Sequence, residues 1–169
     1  MISALVVVLA LALQISGAPE RLIGRATVID GDTLEIRGRR VRLWGMDAPE
    51  GRQSCARDGR AYRCGTEAAR HLDGLIGDRP VTCTPRGRPD RYGRLVARCE
   101  VTADCEPGDD CRTFRRDLGA WMVADGWALD DPRYSDGEHA EQQRDAEQRR
   151  KGLWAGTFVA PGEWRRGRR

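Results

Sequence analysis

Hydrophobic and polar residues alternate in several short segments of the first half of the chain, which is the pattern of half-buried strands. Three such segments lie at residues 27–29, 33–36 and 41–44. Gly31 and Gly38 stand between them, where the chain must turn. The pattern therefore predicts a run of short strands joined by tight turns.

Further along the chain, a helix and two more strands are predicted. Residues 81–84 and 95–101 are strand-like and flank a loop rich in Pro, Gly and Arg, so a hairpin is their simplest connection. Before them, apolar residues recur with the period of a helix, at Ala68, Leu72, Leu75 and Ile76. Gly77 follows this run and is expected to end the helix.

Two more helices are predicted in the second half of the chain. Asp117 can cap a short helix that Gly126 would close. Its apolar positions share one face, at Leu118, Trp121 and Met122. Ser135 and Glu138 form a capping-box pattern for a polar third helix that runs towards Lys151. Without internal repeats or a clear linker, the chain is predicted to be one α+β domain, mainly β.

Residues 1–18 differ from the rest because they contain no charged side chain. Their apolar run is too short to cross a bilayer comfortably, which is typical of a signal peptide. An uncleaved anchor is the alternative, because no Lys or Arg precedes the apolar run. We expect export to the periplasm or the medium, and no membrane span in the mature form.

An even number of cysteines follows that segment, at Cys55, Cys64, Cys83, Cys99, Cys105 and Cys111. This fits an oxidising compartment, and no spacing typical of a zinc site is present. Pairing of sequence neighbours is one hypothesis, and one or two buried thiols are the alternative. Residues 104–113 contain two of the cysteines and are expected to form a surface insertion.

The positive charge is almost entirely arginine, since Lys151 is the only lysine. Arginine is suited to phosphate because its planar fork donates two parallel hydrogen bonds. The formal net charge is only +3, so overall charge favours a polyanionic partner weakly. Residues 159–169 form a basic tail, which either attracts a polyanion or is simply a solvated terminus.

Three segments concentrate charged side chains near predicted strand ends: VIDGDTL at residues 28–34, VRLWGMDAPE at 41–50 and DRYGR at 90–94. Each alone is ordinary, because Asp-Gly is a common hairpin turn and arginine alternates with apolar residues in many strands. Their combination, in this order and spacing, is much more specific.

Together the three segments resemble the signature motifs of the staphylococcal, thermonuclease-like nuclease family. The segments GWA at residues 126–128 and KGLW at 151–154 also resemble that family, and the resemblance covers residues 22–158. It implies a five-stranded OB-type barrel with about three helices, a bound calcium ion and hydrolysis of DNA or RNA.

The resemblance also implies roles for individual residues. The calcium ligands would be the carboxylates of Asp32 and Asp47 and the main-chain carbonyl of Ala48, where the family has a hydroxyl residue. The catalytic residues would be Arg42, Glu50 and Arg94. The residues that contact the nucleotide would be Arg91, Tyr92 and Tyr134.

The chemistry itself requires residues of these types. A phosphodiester under attack by water gains negative charge, which fixed guanidinium groups can stabilise. Oxygen ligands favour a hard cation such as calcium, and a carboxylate such as Glu50 can orient or deprotonate water.

Several of the nearby residues have simpler interpretations. Asp30 is expected to cap a turn, and Thr33 either contacts the site or packs. Tyr92 fits the core as well as a nucleotide contact. His71 and His139 lack metal spacing and are expected to be surface residues or satisfied helix positions.

Two alternatives to an enzyme remain at this point. One is an OB-type module that binds nucleic acid without cutting it. The other is a disulfide-linked extracellular protein that binds some other acidic partner. The complete set of charged site residues favours the enzyme, and we expect a monomer without a stable protein partner.

Overall fold

The computed structural model describes residues 20–102 and 115–168. In this part of the chain the strands are β1 Leu22–Gly24, β2 Ala26–Asp30, β3 Thr33–Ile36, β4 Arg39–Leu43, β5 Met46–Asp47, β6 Cys55–Arg57, β7 Arg60–Tyr62, β8 Val81–Pro85, β9 Leu95–Thr102, β10 Arg115–Asp117 and β11 Leu129–Asp130. The helices are α1 Cys64–Ile76, α2 Leu118–Ala124, α3 Pro132–Ser135, α4 Ala140–Gln148 and α5 Pro161–Arg165, with a 3-10 turn at Gly152–Ala155.

The main sheet has the strand order β1-β8-β9-β4-β3-β2, and β10 pairs with β9. All pairs in it are antiparallel except β4 with β9, which is parallel. Only Arg25 separates β1 from β2, so one segment pairs with β8 at its start and with β3 at its end. The two edges of the sheet therefore meet at this segment, which is the OB-type arrangement that the resemblance implied.

The core lies inside the curved sheet and beneath α1. Alternate residues of β9 are buried, as expected for strands with one face on the core. Leu34, Val41 and Leu72 are fully buried there, and each such side chain contributes roughly 1.5–3 kcal/mol through burial. The protein is thus α+β and mainly β, as predicted.

Two predicted helices are confirmed, α1 with its predicted C-cap and α2 with its predicted N-cap, although α2 ends at Ala124 with Asp125 as C-cap, one residue before the predicted Gly126. Helix α1 ends at Ile76, and Gly77 has the positive φ of 55° that a glycine adopts readily. Asp117 precedes α2, and its side chain accepts a hydrogen bond of 3.1 Å from the Ala120 amide. With α4 these are the three longer helices, and α3 and α5 are short additions.

The predicted third helix is wrong at its start. Ser135 ends α3, the next residue Asp136 is left-handed with φ of 55°, and α4 begins only at Ala140. The Ser135 hydroxyl donates to Asp130 and accepts from the amide of Gly137. Because its hydroxyl serves this turn, Ser135 does not cap a helix that runs on to Lys151.

Two of the three neighbour cysteine pairs are confirmed as disulfides, Cys55–Cys64 and Cys83–Cys99. The third pair, the surface insertion at 104–113 and the N-terminal segment 1–18 lie outside the described residues. Among the residues that the structure does describe, none belongs to a helix with the length and apolar character needed to cross a bilayer.

Candidate active site

Two buried carboxylates form the floor of the site. Asp32 lies in the turn between β2 and β3, and Asp47 ends the short strand β5; they are 6% and 7% exposed. The Asp30 side chain accepts a hydrogen bond of 3.0 Å from the Asp32 amide, which confirms its predicted turn-capping role. Gly31 is required in this turn, since a Cβ there would lie 2.8 Å from the Cβ of Ala48.

Arg42 joins the two carboxylates. It lies on β4 opposite Thr33 of β3, so its side chain reaches the turn that holds Asp32. One guanidinium nitrogen contacts Asp32, and the other lies 3.1 Å from an Asp47 oxygen. Burial raises the pKa of Asp32 to about 7 against the opposing effect of Arg42. Burial lowers the pKa of Arg42, but both carboxylates raise it and the net direction is upward.

Arg94 reaches the same point from the neighbouring strand. Because β9 runs parallel to β4 with Val41 opposite Leu95, Arg94 stands just before β9 and beside the Asp32 turn. Its Nη1 atom donates to the Thr33 hydroxyl at 3.0 Å and lies 4.0 Å from Asp32. The Thr33 hydroxyl in turn donates to Asp32 at 2.7 Å, so Thr33 links Arg94 to this carboxylate.

The loop between β9 and its preceding strand holds Arg94 in place through Asp90. The Asp90 carboxylate accepts hydrogen bonds of 2.8 Å from the Arg94 side chain and 2.9 Å from its amide. It also accepts one of 2.9 Å from the Tyr92 amide. Burial by itself would raise the pKa of Asp90, but these hydrogen bonds outweigh it and hold the pKa below its usual value.

Glu50 lies at the rim of the site, three residues after Asp47. Its amide donates to the Gln53 side chain at 3.2 Å, and its carbonyl accepts from the Gln53 amide at 2.7 Å. A Cβ at Gly65, near the start of α1, would lie 1.8 Å from the same carbonyl. The start of α1 therefore packs directly against the Glu50 main chain.

The donor set fits a hard cation. Asp32 and Asp47 converge on one guanidinium group, so they could equally face one cation, and buried Ala48 follows Asp47 directly. Oxygen ligands of this kind suit calcium. Within residues 20–102 and 115–168, no cluster of three or more His, Cys, Asp or Glu side chains has the arrangement of a metal site.

The predicted nucleotide contacts line the open side of the site. Arg91, Tyr92 and Tyr134 border a cleft of about 1050 Å³ that also contains Asp32, Arg42, Glu50 and Arg94. Tyr92 is 69% exposed and Tyr134 is 63% exposed, so neither ring belongs to the core. The core position that the sequence allows for Tyr92 is therefore excluded.

Sequence reasoning missed Arg165, a further residue of the site. Residues 159–169 were interpreted as a basic tail, but 161–165 form helix α5, whose Pro161 is buried. Arg165 donates two hydrogen bonds to the two Asp47 oxygens, at 2.9 and 2.7 Å, and one of 2.7 Å to Glu50. Pro161 at the first helical position is a local signal for this helix.

The two histidines differ from each other. His71 is bound to Asp125 at 2.8 Å and is a satisfied helix position, as predicted. The prediction for His139 is wrong, because its ring is 1% exposed and neither ring nitrogen has a hydrogen-bond partner within the part of the chain described. Its ring packs edge-on against Trp44, which lines the cleft.

An OB-type sheet whose cleft collects arginines around buried carboxylates is the arrangement that the resemblance to a nuclease family implied. The chain belongs to the family described as staphylococcal nuclease homologue, whose model matches residues 40–156. It is 32% identical over 151 residues to "Micrococcal nuclease" of Shigella flexneri, covering 82% of this chain and 77% of that protein.

Two further relatives carry other names. The chain is 40% identical over 141 residues to "Succinoglycan biosynthesis protein ExoI" of Rhizobium meliloti, covering 82% of this chain and 68% of that protein. It is 31% identical over 147 residues to "Protein ParB" of Escherichia coli, covering 82% of this chain and 76% of that protein. The family and the nuclease-named relative support a nuclease-like function.

Proposed function

We propose that the protein is a calcium-dependent endonuclease that hydrolyses phosphodiester bonds of DNA or RNA. The observation that carries the proposal is the convergence of Arg42 and Arg94, from two neighbouring strands, on the turn that holds Asp32. A nuclease-named relative supports the same reaction class. The name of the Rhizobium relative refers to a biosynthetic process and does not state which bond is cleaved.

In this proposal Arg42 and Arg94 stabilise the charge that develops on the phosphate oxygens. Each guanidinium is held by carboxylates before substrate arrives, so little reorganisation is needed during the reaction. Asp90 and Thr33 act as positioning residues, since they hold the Arg94 fork from two sides. Two oxygens of a phosphate group can then each accept one of two parallel hydrogen bonds from such a fork.

Glu50 is proposed to orient or deprotonate the attacking water. Its side chain lies at the solvent-facing rim of the cleft, while its main chain is held by Gln53 and α1. A carboxylate held in this way can accept a proton from a water that approaches the phosphorus.

Calcium is proposed to be held by Asp32, Asp47 and the Ala48 carbonyl. When bound there, a divalent cation would supply positive charge next to the phosphate and lower the barrier to attack. The protein residues themselves keep the carboxylates buried and close together, which strengthens their attraction for a cation.

Substrate is proposed to lie along the cleft between the exposed rings of Tyr92 and Tyr134. An exposed ring can stack on any base, so these residues favour single-stranded DNA or RNA without sequence preference. Arg91 stands beside Tyr92 and is proposed to bind a phosphate.

The same proposal includes export and a monomeric state. Two disulfides in the described residues fit an oxidising compartment such as the periplasm or the medium. No stable protein partner is needed, because the described chain itself provides every residue assigned to the site.

The test is digestion of single-stranded DNA by the purified, oxidised protein with calcium or with a chelator. Glu50→Gln and Arg94→Ala are each expected to lower the rate by about a hundred- to a thousandfold. Arg70→Ala is the control, since Arg70 is exposed on α1 and pairs only with Glu67 among the contacts described. DNA binding without cutting would instead establish a non-catalytic module. Competition by heparin but not by a nucleotide bisphosphate would favour another acidic partner.

A further inference from the structure

Helix α5 delivers a guanidinium group to the carboxylates of the site. Arg165 makes a two-pronged contact with both Asp47 oxygens and a third hydrogen bond to Glu50. Asp47 and Glu50 together hold the pKa of Arg165 above its usual range despite the opposing effect of burial. The chain therefore supplies its own cation at this point.

These contacts use the oxygen atoms that a metal ion would need. Asp47 Oδ1 accepts from Arg42 at 3.1 Å and from Arg165 at 2.9 Å, which occupies both of its in-plane lone pairs. Asp47 Oδ2 accepts from Arg165 at 2.7 Å. Three of the roughly four lone-pair sites of the Asp47 carboxylate are thus taken by guanidinium donors, so a divalent cation that binds Asp47 would compete with them.

Arg165 is the most exposed of the three guanidinium groups at the site. Arg42 pairs with Asp32 and Asp47, Arg94 with Asp90, and Arg165 with Asp47 and Glu50. A divalent cation at Asp47 would repel these guanidinium groups, and the one held least firmly is expected to leave. The Arg42 side chain is 19% exposed on β4 and that of Arg94 is 20% exposed in the loop just before β9, whereas that of Arg165 is 38% exposed on a five-residue helix.

The body of the protein anchors α5 at its start. The buried Gln53 side chain donates a hydrogen bond of 2.7 Å to the Val159 carbonyl, and Pro161 is buried. The Arg165 side chain can therefore swing away from Asp47 without loss of this anchor. Arg166 and Arg168 both contact Glu163, which lies on the same helix.

We propose that Arg165 competes with a divalent cation for Asp47 and Glu50, so that cation binding and release of this side chain are coupled. The proposal rests on the proposed function, because it concerns the same carboxylates. A nucleic-acid backbone presents oxyanions that a guanidinium binds through two hydrogen bonds. Substrate is therefore expected to draw Arg165 off Asp47 and thereby to tighten cation binding, and the coupling is reciprocal.

The test is calorimetric titration of the purified, oxidised protein with calcium chloride. Arg165→Gln removes the competing charge and is expected to tighten calcium binding by about tenfold, the change that corresponds to 1.4 kcal/mol. Arg168→Gln is the control for long-range electrostatics. It removes the same charge three residues further along the chain, at an arginine that contacts Glu163. Arg165→Lys keeps the charge without the two-pronged contact. Its calcium affinity is expected to lie between those of the wild type and Arg165→Gln. In the wild-type protein, calcium is expected to speed hydrogen exchange of residues 161–168.

The outcomes separate this proposal from the proposed function. Equal calcium affinity in wild type, Arg165→Gln and Arg168→Gln would overturn the competition and leave the nuclease proposal intact. Weaker binding by Arg165→Gln would also overturn it and would make Arg165 a supporting residue. Absence of calcium binding in every form would overturn both. A phosphorothioate single-stranded oligonucleotide, added as a substrate analogue, should narrow the difference in calcium affinity between wild type and Arg165→Gln. An unchanged difference would refute the release of Arg165 by substrate.

Discussion

The Glu50 carbonyl lies so close to Gly65 that a Cβ on this residue would meet the oxygen at 1.8 Å. The first turn of α1 and the loop that carries Glu50 can approach in this way only because residue 65 has no side chain. The position of the proposed water-orienting residue thus depends on a glycine 15 positions away in the sequence.

Gly65→Ala is expected to destabilise the protein by about 1–3 kcal/mol, because the added methyl group overpacks a backbone contact. It should also lower the rate of DNA cleavage by displacing Glu50. Gly74→Ala is the matched control, since Gly74 lies in the same helix with nothing within 4 Å of an added Cβ. This change should stabilise α1 by about 0.5–1 kcal/mol. Urea unfolding and cleavage assays on both variants check the prediction. Equal free energies of unfolding and equal cleavage rates for the two variants would contradict it.

Thr33→Val is expected to lower kcat/KM by about ten- to a hundredfold, because it removes the hydroxyl that links Arg94 to Asp32. Hydrogen bonds to charged groups contribute about 1.5–3 kcal/mol each, and valine has nearly the same shape. Thr33→Ser should restore most of the rate. Thr27→Val, on the exposed face of β2, is the control. A full rate in Thr33→Val would mean that Arg94 is positioned by Asp90 alone.

Replacing Cys55 and Cys64 by serine is expected to lower activity more than replacing Cys83 and Cys99. The first disulfide ties the start of α1 to Cys55 of β6, two residues after Gln53, which holds the Glu50 main chain. The second joins β8 to β9 inside the sheet, away from Glu50. Each loss should destabilise the protein by about 2–4 kcal/mol. Cleavage rates measured well below both melting temperatures test the difference, which equal rates would refute.

Asp90→Asn is expected to lower the free energy of unfolding at pH 7 and to matter less in acid. The folded pKa of Asp90 is below its usual value of about 3.9, so its contribution is fully present above that pH. It is lost as the pH falls through the folded pKa, because the carboxylate is then protonated in both states. Urea unfolding of both proteins at pH 7 and pH 3 checks the prediction. If the difference in free energy of unfolding between wild type and Asp90→Asn stays the same at both pH values, the ionised Asp90 carboxylate is not the source of the stabilisation.

Much of the fold was predictable because it depends on local patterns. The strands β2, β3 and β4 follow alternation, and the ends of α1 and α2 follow from Gly77 and Asp117. The third helix failed because Ser135 matches a capping box but its hydroxyl is taken by Asp130 and Gly137. Which hydrogen-bond partners the Ser135 hydroxyl finds depends on how the surrounding chain is arranged in three dimensions. A local sequence motif cannot reveal this.

The sequence by itself determined which charged residues could carry the chemistry, because the three motifs set their types and spacing. Only the tertiary structure decided which of them meet: the parallel pairing of β4 with β9 brings Arg94 beside Asp32, 62 positions earlier in the chain. It also decided that Arg165 reaches Asp47 and that His139 is buried. Periodicity and capping act within a few residues, whereas these contacts arise when distant segments share one core and one cleft.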